Sequence, residues 1–146
     1  MHVTIDTTAN PDPQDEHFVE RHLSAFNDND VGASGKTPLS VFVRDETGAI
    51  VAGISGYTGW GWLYVQRLWV SESLRGQRMA SKMLDAAERE ASARGCHGAF
   101  IDTFNPNAAK AYQRQGYQPF GVLEDFPIGR SRSFLQKKLK PTVKES

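Results

Sequence analysis

At 146 residues, with 39% hydrophobic, 10% aromatic and 23% charged side chains, the chain has the size and composition of one globular domain, read as spanning 1–146. No apolar run approaches the roughly 20 residues that cross a bilayer, and this excludes a helical membrane protein. The 17 basic and 17 acidic residues cancel, which argues against nucleic acid as the main partner.

Charge is unevenly spread along the chain. Residues 1–35 hold Asp6, Asp12, Asp15, Glu16, Glu20, Asp28 and Asp30 against Arg21 alone, whereas the end carries Arg130, Arg132, Lys137, Lys138, Lys140 and Lys144. Two readings stand: a pair of solvated faces, or an acidic region that attracts a cationic substrate while bases elsewhere hold an anion. Met1-His2-Val3 opens without a basic region followed by an apolar one, so no signal peptide and a cytoplasmic location are expected. Cys96, a lone cysteine, reads as a small core residue, and His2, His17, His22 and His97 lack metal-ligand spacing, so no metal is expected.

In chain order, alternation over 3–7 predicts a short strand, and Asn10-Pro-Asp-Pro breaks it. Helical spacing of Phe18, Leu23 and Phe26 predicts a helix ending near Asn29. After a Gly-rich loop, 39–44 and 50–54 read as an antiparallel hairpin turning at Thr47-Gly48. Residues 59–62 make the next turn and 63–70 the next strand. Met79, Met83, Ala87 and Ala91, flanked by Ala80 and Leu84, form an apolar helical stripe that Arg94-Gly95 ends. A short strand at 99–103 follows, then a helix opened by Asn105-Pro106 that stops at Gly116. The strand-helix-strand crossover implies parallel pairing. Residues 117–123 and 131–139 close the chain as two strands, and 141–146 are expected to fray.

The run from Val70 to Ser81 is the most informative. A strand passes through Arg75, Gly76, Gln77, Arg78, Met79 and Ala80 into a helix whose first N–H groups have no intrahelical partner and carry the positive end of its dipole. Phosphate oxygens fit such a junction, with Arg75 and Arg78 adding charge and Gly76 and Ala80 permitting close approach. A second pattern lies one strand later: Asn105-Pro-Asn107-Ala108, Tyr112, Gly116-Tyr117.

Together the two patterns, with Leu68-Trp69-Val70 before them, resemble the GNAT superfamily of N-acetyltransferases. Its members show a strand ending in an apolar residue and Val, an Arg/Gln-x-x-Gly-x-Gly/Ala phosphate loop, and later Asn-x-x-Ala-x-x-x-Tyr. The resemblance covers about residues 38–139. It implies an α+β fold, a mixed sheet with helices on both faces, splayed open between the strands at 63–70 and 98–103, with acetyl-CoA in the gap. By the same resemblance the backbone of Leu68, Trp69 and Val70 would hold the pantetheine arm, residues 75–81 the pyrophosphate, and Asn105 and Asn107 the thiol end. Tyr112 would return a proton to the departing thiolate, and Tyr64 and Gln66 would meet the acceptor. The implied activity is acetyl transfer to a primary amine of a small molecule or protein; a CoA-binding module without catalysis is the alternative.

The chemistry explains these residue types. A thioester attacked by an amine develops an oxyanion that a backbone N–H, assigned to Leu68, can stabilise. A phenol near 10 is a weaker acid than a thiol near 8.5, so Tyr112 acts through position, or else it is an aromatic packed beneath the last strands with Tyr117.

Two departures from the family pattern stand out. Arg78 occupies a position that is normally Gly; an ordinary helical φ is expected there, with the guanidinium reaching a phosphate. Gln66 stands where relatives place a carboxylate, and an amide is no base. The proton then leaves by a water chain ending at Glu124, Asp125, Asp102 or His22, or the acceptor has a lower pKa, as an aromatic amine or peptide N-terminus does. Trp60, Trp62 and Trp69 read as core or sheet-face residues, with Trp60 and Trp62 the candidates for stacking on substrate. Strand 132–139 is expected to pair with a second copy in a homodimer.

Overall fold

In the computed structural model, which describes residues 1–142, the chain divides into two compact units, Met1–Ser34 and the remainder from Gly35. The first holds one helix, α1 (Pro13–Val31), opened by Asp12, whose carboxylate accepts from the Gln14 N–H, and by Pro13 at a position that needs no donor. The strand expected at 3–7 does not form. Val3 and Ile5 are 74% and 92% exposed. A five-residue alternation has no stability of its own; without a ladder it buries nothing.

The second unit is a six-stranded sheet in the order β1-β2-β3-β4-β6-β5: β1 (Thr37–Arg44), β2 (Ile50–Gly59), β3 (Trp62–Val70), β4 (Gly98–Thr103), β5 (Gln118–Glu124) and β6 (Ser131–Lys138). Every neighbouring pair is antiparallel except β3–β4, which the crossover through α2 (Met79–Ala93) makes parallel. A shorter helix, α3 (Pro106–Arg114), follows β4 and contacts α2. The mixed α+β sheet flanked by helices is therefore present.

Alternation places Ile54, Leu63, Val65, Ala99, Ile101 and Leu135 in the core, where they meet Met83, Leu84, Ala87 and Ala91 on one stripe of α2. Cys96 is buried among them, as expected. The first hairpin turns where the Asp45 carboxylate accepts from the N–H groups of Thr47 and Ala49.

Two expectations need correction. β6 does not offer an edge to a second copy, because β4 and β5 occupy both of its sides and the sheet's edges are β1 and β5. The fraying expected from 141 onward does not apply to Thr142, whose N–H bonds Ser92 O at 2.9 Å, and 143–146 lie outside the described residues.

Candidate active site

The site begins with a slip in the sheet. Ser55 faces Arg67 and Gly56 faces Val65, so Gln66 is an extra residue bulged out of β3. Glycine is required opposite: a Cβ on residue 56 would lie 1.9 Å from the Tyr64 carbonyl oxygen. Parallel pairing of β3 with β4 runs from Trp62↔Gly98 to Val65↔Ile101 and stops at the bulge. Beyond it the two strands separate, and a cleft of about 340 Å³ opens.

Gln66, Leu68 and Trp69 form one wall of this cleft and Asp102 and Thr103 the other, with Phe104, Tyr112 and Arg132 at the end. Leu68, Trp69, Gln66 and Tyr112, foreseen from the sequence, thus converge, whereas Val70 packs against the core just beyond. Of the tryptophans, Trp69 lines the cleft, whereas Trp62 is half-buried against His97 and Phe100.

Tyr112 is buried, and desolvation, with the nearby Asp102 charge, pushes its phenol up to about 12. It is a neutral hydroxyl at any physiological pH. No protein group among the described residues bonds it, and it lines the cleft. Across from it, Asp102 takes Arg132 Nε and Nη2 on Oδ1 at 2.9 and 2.6 Å, and the Tyr64 hydroxyl on Oδ2 at 2.9 Å. Burial and that carboxylate hold the Tyr64 pKa above its usual value. The Tyr64 ring stacks on Phe100 at 4.3 Å. Of the acids considered for the proton route, only Asp102 lines the cleft. Glu124 is engaged by Ser131, and His22 is on α1, bonded to Phe18 O.

The phosphate junction differs from its expected form. A single 3-10 turn, Glu72–Leu74, separates β3 from the helix, which starts at Met79. The Arg75 N–H is taken by Glu72 O at 3.2 Å, but those of residues 76–81 have no acceptor among the described residues, and no side chain caps the helix. Gly76 has φ +81°, a conformation that suits it. Arg78 does not take the expected helical φ: it is left-handed at +58°, ψ +31°. A left-handed residue other than glycine costs on the order of 1 kcal/mol. The Arg78 side chain is exposed and forms no hydrogen bond or ion pair among the described residues.

Asn105, by contrast, is occupied. Its Oδ1 accepts from the Asn107 and Ala108 N–H groups at 2.9 and 3.3 Å, so its side chain closes α3, and Asn107 is exposed.

Behind the open turn lies a polar network that sequence reasoning missed. Ser81 Oγ donates to Gln115, whose amide reaches Asp85 and Glu88. Glu88, nearly buried, also takes the Tyr117 hydroxyl at 3.0 Å and Lys137 Nζ at 2.6 Å. Burial and the Glu88 carboxylate both raise the Tyr117 pKa. The available signal was an acid at 88 within the buried stripe of 84, 87 and 91.

Known proteins resemble this sequence and share this fold. A profile of the acetyltransferase (GNAT) family fits residues 4–117. The chain belongs to the GNAT family of acetyltransferases. This GNAT acetyltransferase is 41% identical over 127 residues to the acetyltransferase Atu2258 of Agrobacterium fabrum, covering 87% of the chain and 93% of the relative. It is 34% identical over 106 residues to the blasticidin-S acetyltransferase of Streptomyces morookaense, covering 70% and 78%. Among solved structures it superposes on an acetyltransferase from Agrobacterium tumefaciens with a TM-score of 0.87 at 39% identity, covering 95% and 100%. It shares the fold of an aminoglycoside 6'-N-acetyltransferase complexed with coenzyme A at a TM-score of 0.63 and 16% identity, covering 73% and 76%.

Proposed function

We propose that this GNAT acetyltransferase moves an acetyl group from acetyl-CoA directly onto a primary amine of a small molecule or peptide. The observation that carries the reading is the run of unpartnered N–H groups at 76–81, ending in the uncapped start of α2 and close in sequence to the splayed strand. Such donors, with Arg75 and Arg78 beside them, fit a pyrophosphate. Acetyl-CoA supplies, when bound, a thioester carbonyl open to attack by nitrogen.

The remaining roles fall to the chain. Residues 76–81 hold the diphosphate, Leu68, Trp69 and Val70 line the pantetheine arm, and a β3 N–H, that of Leu68, stabilises the charge developing on oxygen. Asn105 orients the approach indirectly, through α3. Tyr112, neutral and facing the cleft, gives its proton to the departing sulfur, while Gln66 and Tyr64 meet the acceptor. That the two relatives above are both acetyltransferases favours catalysis over a module that merely binds CoA. A cytoplasmic location and a homodimer belong to the same reading. The half-exposed Phe120, Val122 and Leu123 of edge strand β5 support the dimer, which sedimentation velocity checks.

Calorimetry with coenzyme A, paired with thiol release from acetyl-CoA over a panel of amines, tests the core of the proposal. Heat of binding and turnover are expected; binding without turnover on any amine would revive the module, and absence of heat would end the proposal.

A further inference from the structure

We infer that the acceptor is an amine uncharged at neutral pH, with its nitrogen on an aromatic or heteroaromatic ring, and that the cleft disfavours alkylammonium ions. This rests on the reading of the cleft as the acetyl-transfer site and narrows the amine it takes.

The first ground is charge. Among the described residues lining the cleft there is one acid, Asp102, and two bases, Arg67 and Arg132. Asp102 is committed: Arg132 occupies one carboxylate oxygen and the Tyr64 hydroxyl the other. Arg132 and Asp102 thus cancel, which leaves Arg67, bonded only to Ser55 Oγ at 3.5 Å, as the net charge of the cleft. An ammonium group entering here loses water, meets a guanidinium and finds no unpaired carboxylate.

The second ground is the proton. When a neutral amine attacks a thioester, a C–N bond forms and a C–S bond breaks; nitrogen loses one proton and sulfur needs one, so the reaction closes without a net proton change, with Tyr112 as the relay. An ammonium carries one proton more, and something must remove it before attack. The titratable and charged groups around the cleft are Tyr64 and Arg67 from β3, Asp102 from β4, Tyr112 from α3 and Arg132 from β6. Tyr112 is a neutral acid, and Gln66 is an amide at the position nearest the splay. The one carboxylate among them is already paired with Arg132 and Tyr64, and no imidazole or amine lines the cleft among the described residues. An alkylamine with a lysine-like pKa of about 10.4 is roughly 0.04% free base at pH 7, whereas an arylamine arrives already deprotonated.

The third ground is what the walls offer instead. The Gln66 side chain makes no hydrogen bond among the described residues, so its carbonyl can accept from a neutral NH2 and its amide N–H can donate to a ring acceptor. Beside it Trp69 and Phe104, 54% and 48% exposed, present flat apolar surfaces to a ring.

The test compares substituted anilines with benzylamines of matched size as acceptors for the full chain, following thiol release from acetyl-CoA between pH 6 and 9. The expected kcat/KM at pH 7 is at least tenfold higher for the anilines and flat with pH, while any benzylamine rate rises about tenfold per pH unit as free base accumulates. Gln66→Glu is expected to shrink the preference at least fivefold by raising benzylamine turnover, and Arg67→Ala, on an exposed residue, to shrink it two- to threefold. Benzylamines matching or exceeding anilines at pH 7 would overturn the inference, as would a protein that binds coenzyme A yet acetylates no aniline. Calorimetry run alongside separates the cases, because absence of coenzyme A binding would defeat the acetyl-transfer reading itself.

Discussion

The two helices of the sheet-bearing unit begin in opposite ways. α3 closes its own N-terminus, with the Asn105 side chain on two backbone N–H groups and Pro106 contributing no donor. α2 has no capping side chain, enters through a left-handed Arg78 and leaves the donors of 76–81 without a protein acceptor among the described residues. Capping stabilises a helix by about 1 kcal/mol, and a left-handed non-glycine residue costs about as much again. A chain that leaves the first unclaimed and bears the second is arranged for an external acceptor, and an anion is what the helix dipole favours. Under the proposed function, the contrast separates a helix start that serves folding from one that serves binding.

The comparison breaks most severely if the two helices are uncoupled. Glu88 joins Gln115, Tyr117 and Lys137, and Gln115 in turn holds Ser81 in the open turn. Removing the carboxylate in Glu88→Ala leaves the buried Tyr117 phenol without its acceptor and the partly buried Lys137 ammonium with only the Gln115 carbonyl. We expect a loss of about 2–3 kcal/mol in urea unfolding, together with weaker coenzyme A binding. Unchanged coenzyme A affinity would show that the network does not support the open turn.

Next in size is Tyr112→Phe. Position rather than acidity is its asset, so a fall in kcat of about 100-fold with KM for acetyl-CoA held is expected in steady-state assays. Equal rates would remove Tyr112 as the proton donor. Because its pKa lies at about 12, the rate should show no fall from phenol ionisation below roughly pH 11. The same shift bears on stability. The unfolded chain releases the phenol proton near 10 while the folded chain holds it, so this contribution is whole below about pH 10 and is lost as pH rises to about 12. Tyr117 is shifted in the same direction. Alkaline unfolding of wild type should therefore be steeper than that of Tyr112→Phe.

Smaller effects sharpen the contrast between the helix starts. Asn105→Ala should cost about 1 kcal/mol of thermal stability and leave coenzyme A affinity unchanged, as a folding cap requires. A selective loss of affinity would instead place Asn105 at the ligand. Arg78→Gly relieves a left-handed residue and should raise stability by up to about 1 kcal/mol, read as a higher Tm. A lower Tm would mean that the arginine side chain stabilises the turn.

The elements of the sheet were legible because their signals are local. Hairpin turns, the α2 stripe and the Asn105-Pro106 helix start each reside within a dozen residues. The segment at 3–7 misled because alternation shows what a strand would bury without showing that a partner exists. Arg78 misled for a related reason: its φ is set by where β3 ends and α2 begins, and arginine itself favours no such conformation. In the site, Tyr112 and Gln66 were legible from their spacing within recognisable patterns. The commitment of Asp102 was not, since its partners are 38 and 30 residues away.

By itself the sequence determined the order and type of the elements from β1 onward, the buried stripe of α2 and the row of donors after Val70. Periodicity and capping chemistry act over a few residues and need no other part of the chain. Only the tertiary structure decided that β6 lies inside the sheet, that Asp102 is locked between Arg132 and Tyr64, and that Glu88 ties the two helices together. Strand order and register bring residues 29 to 49 positions apart within hydrogen-bonding distance, and no local signal encodes them.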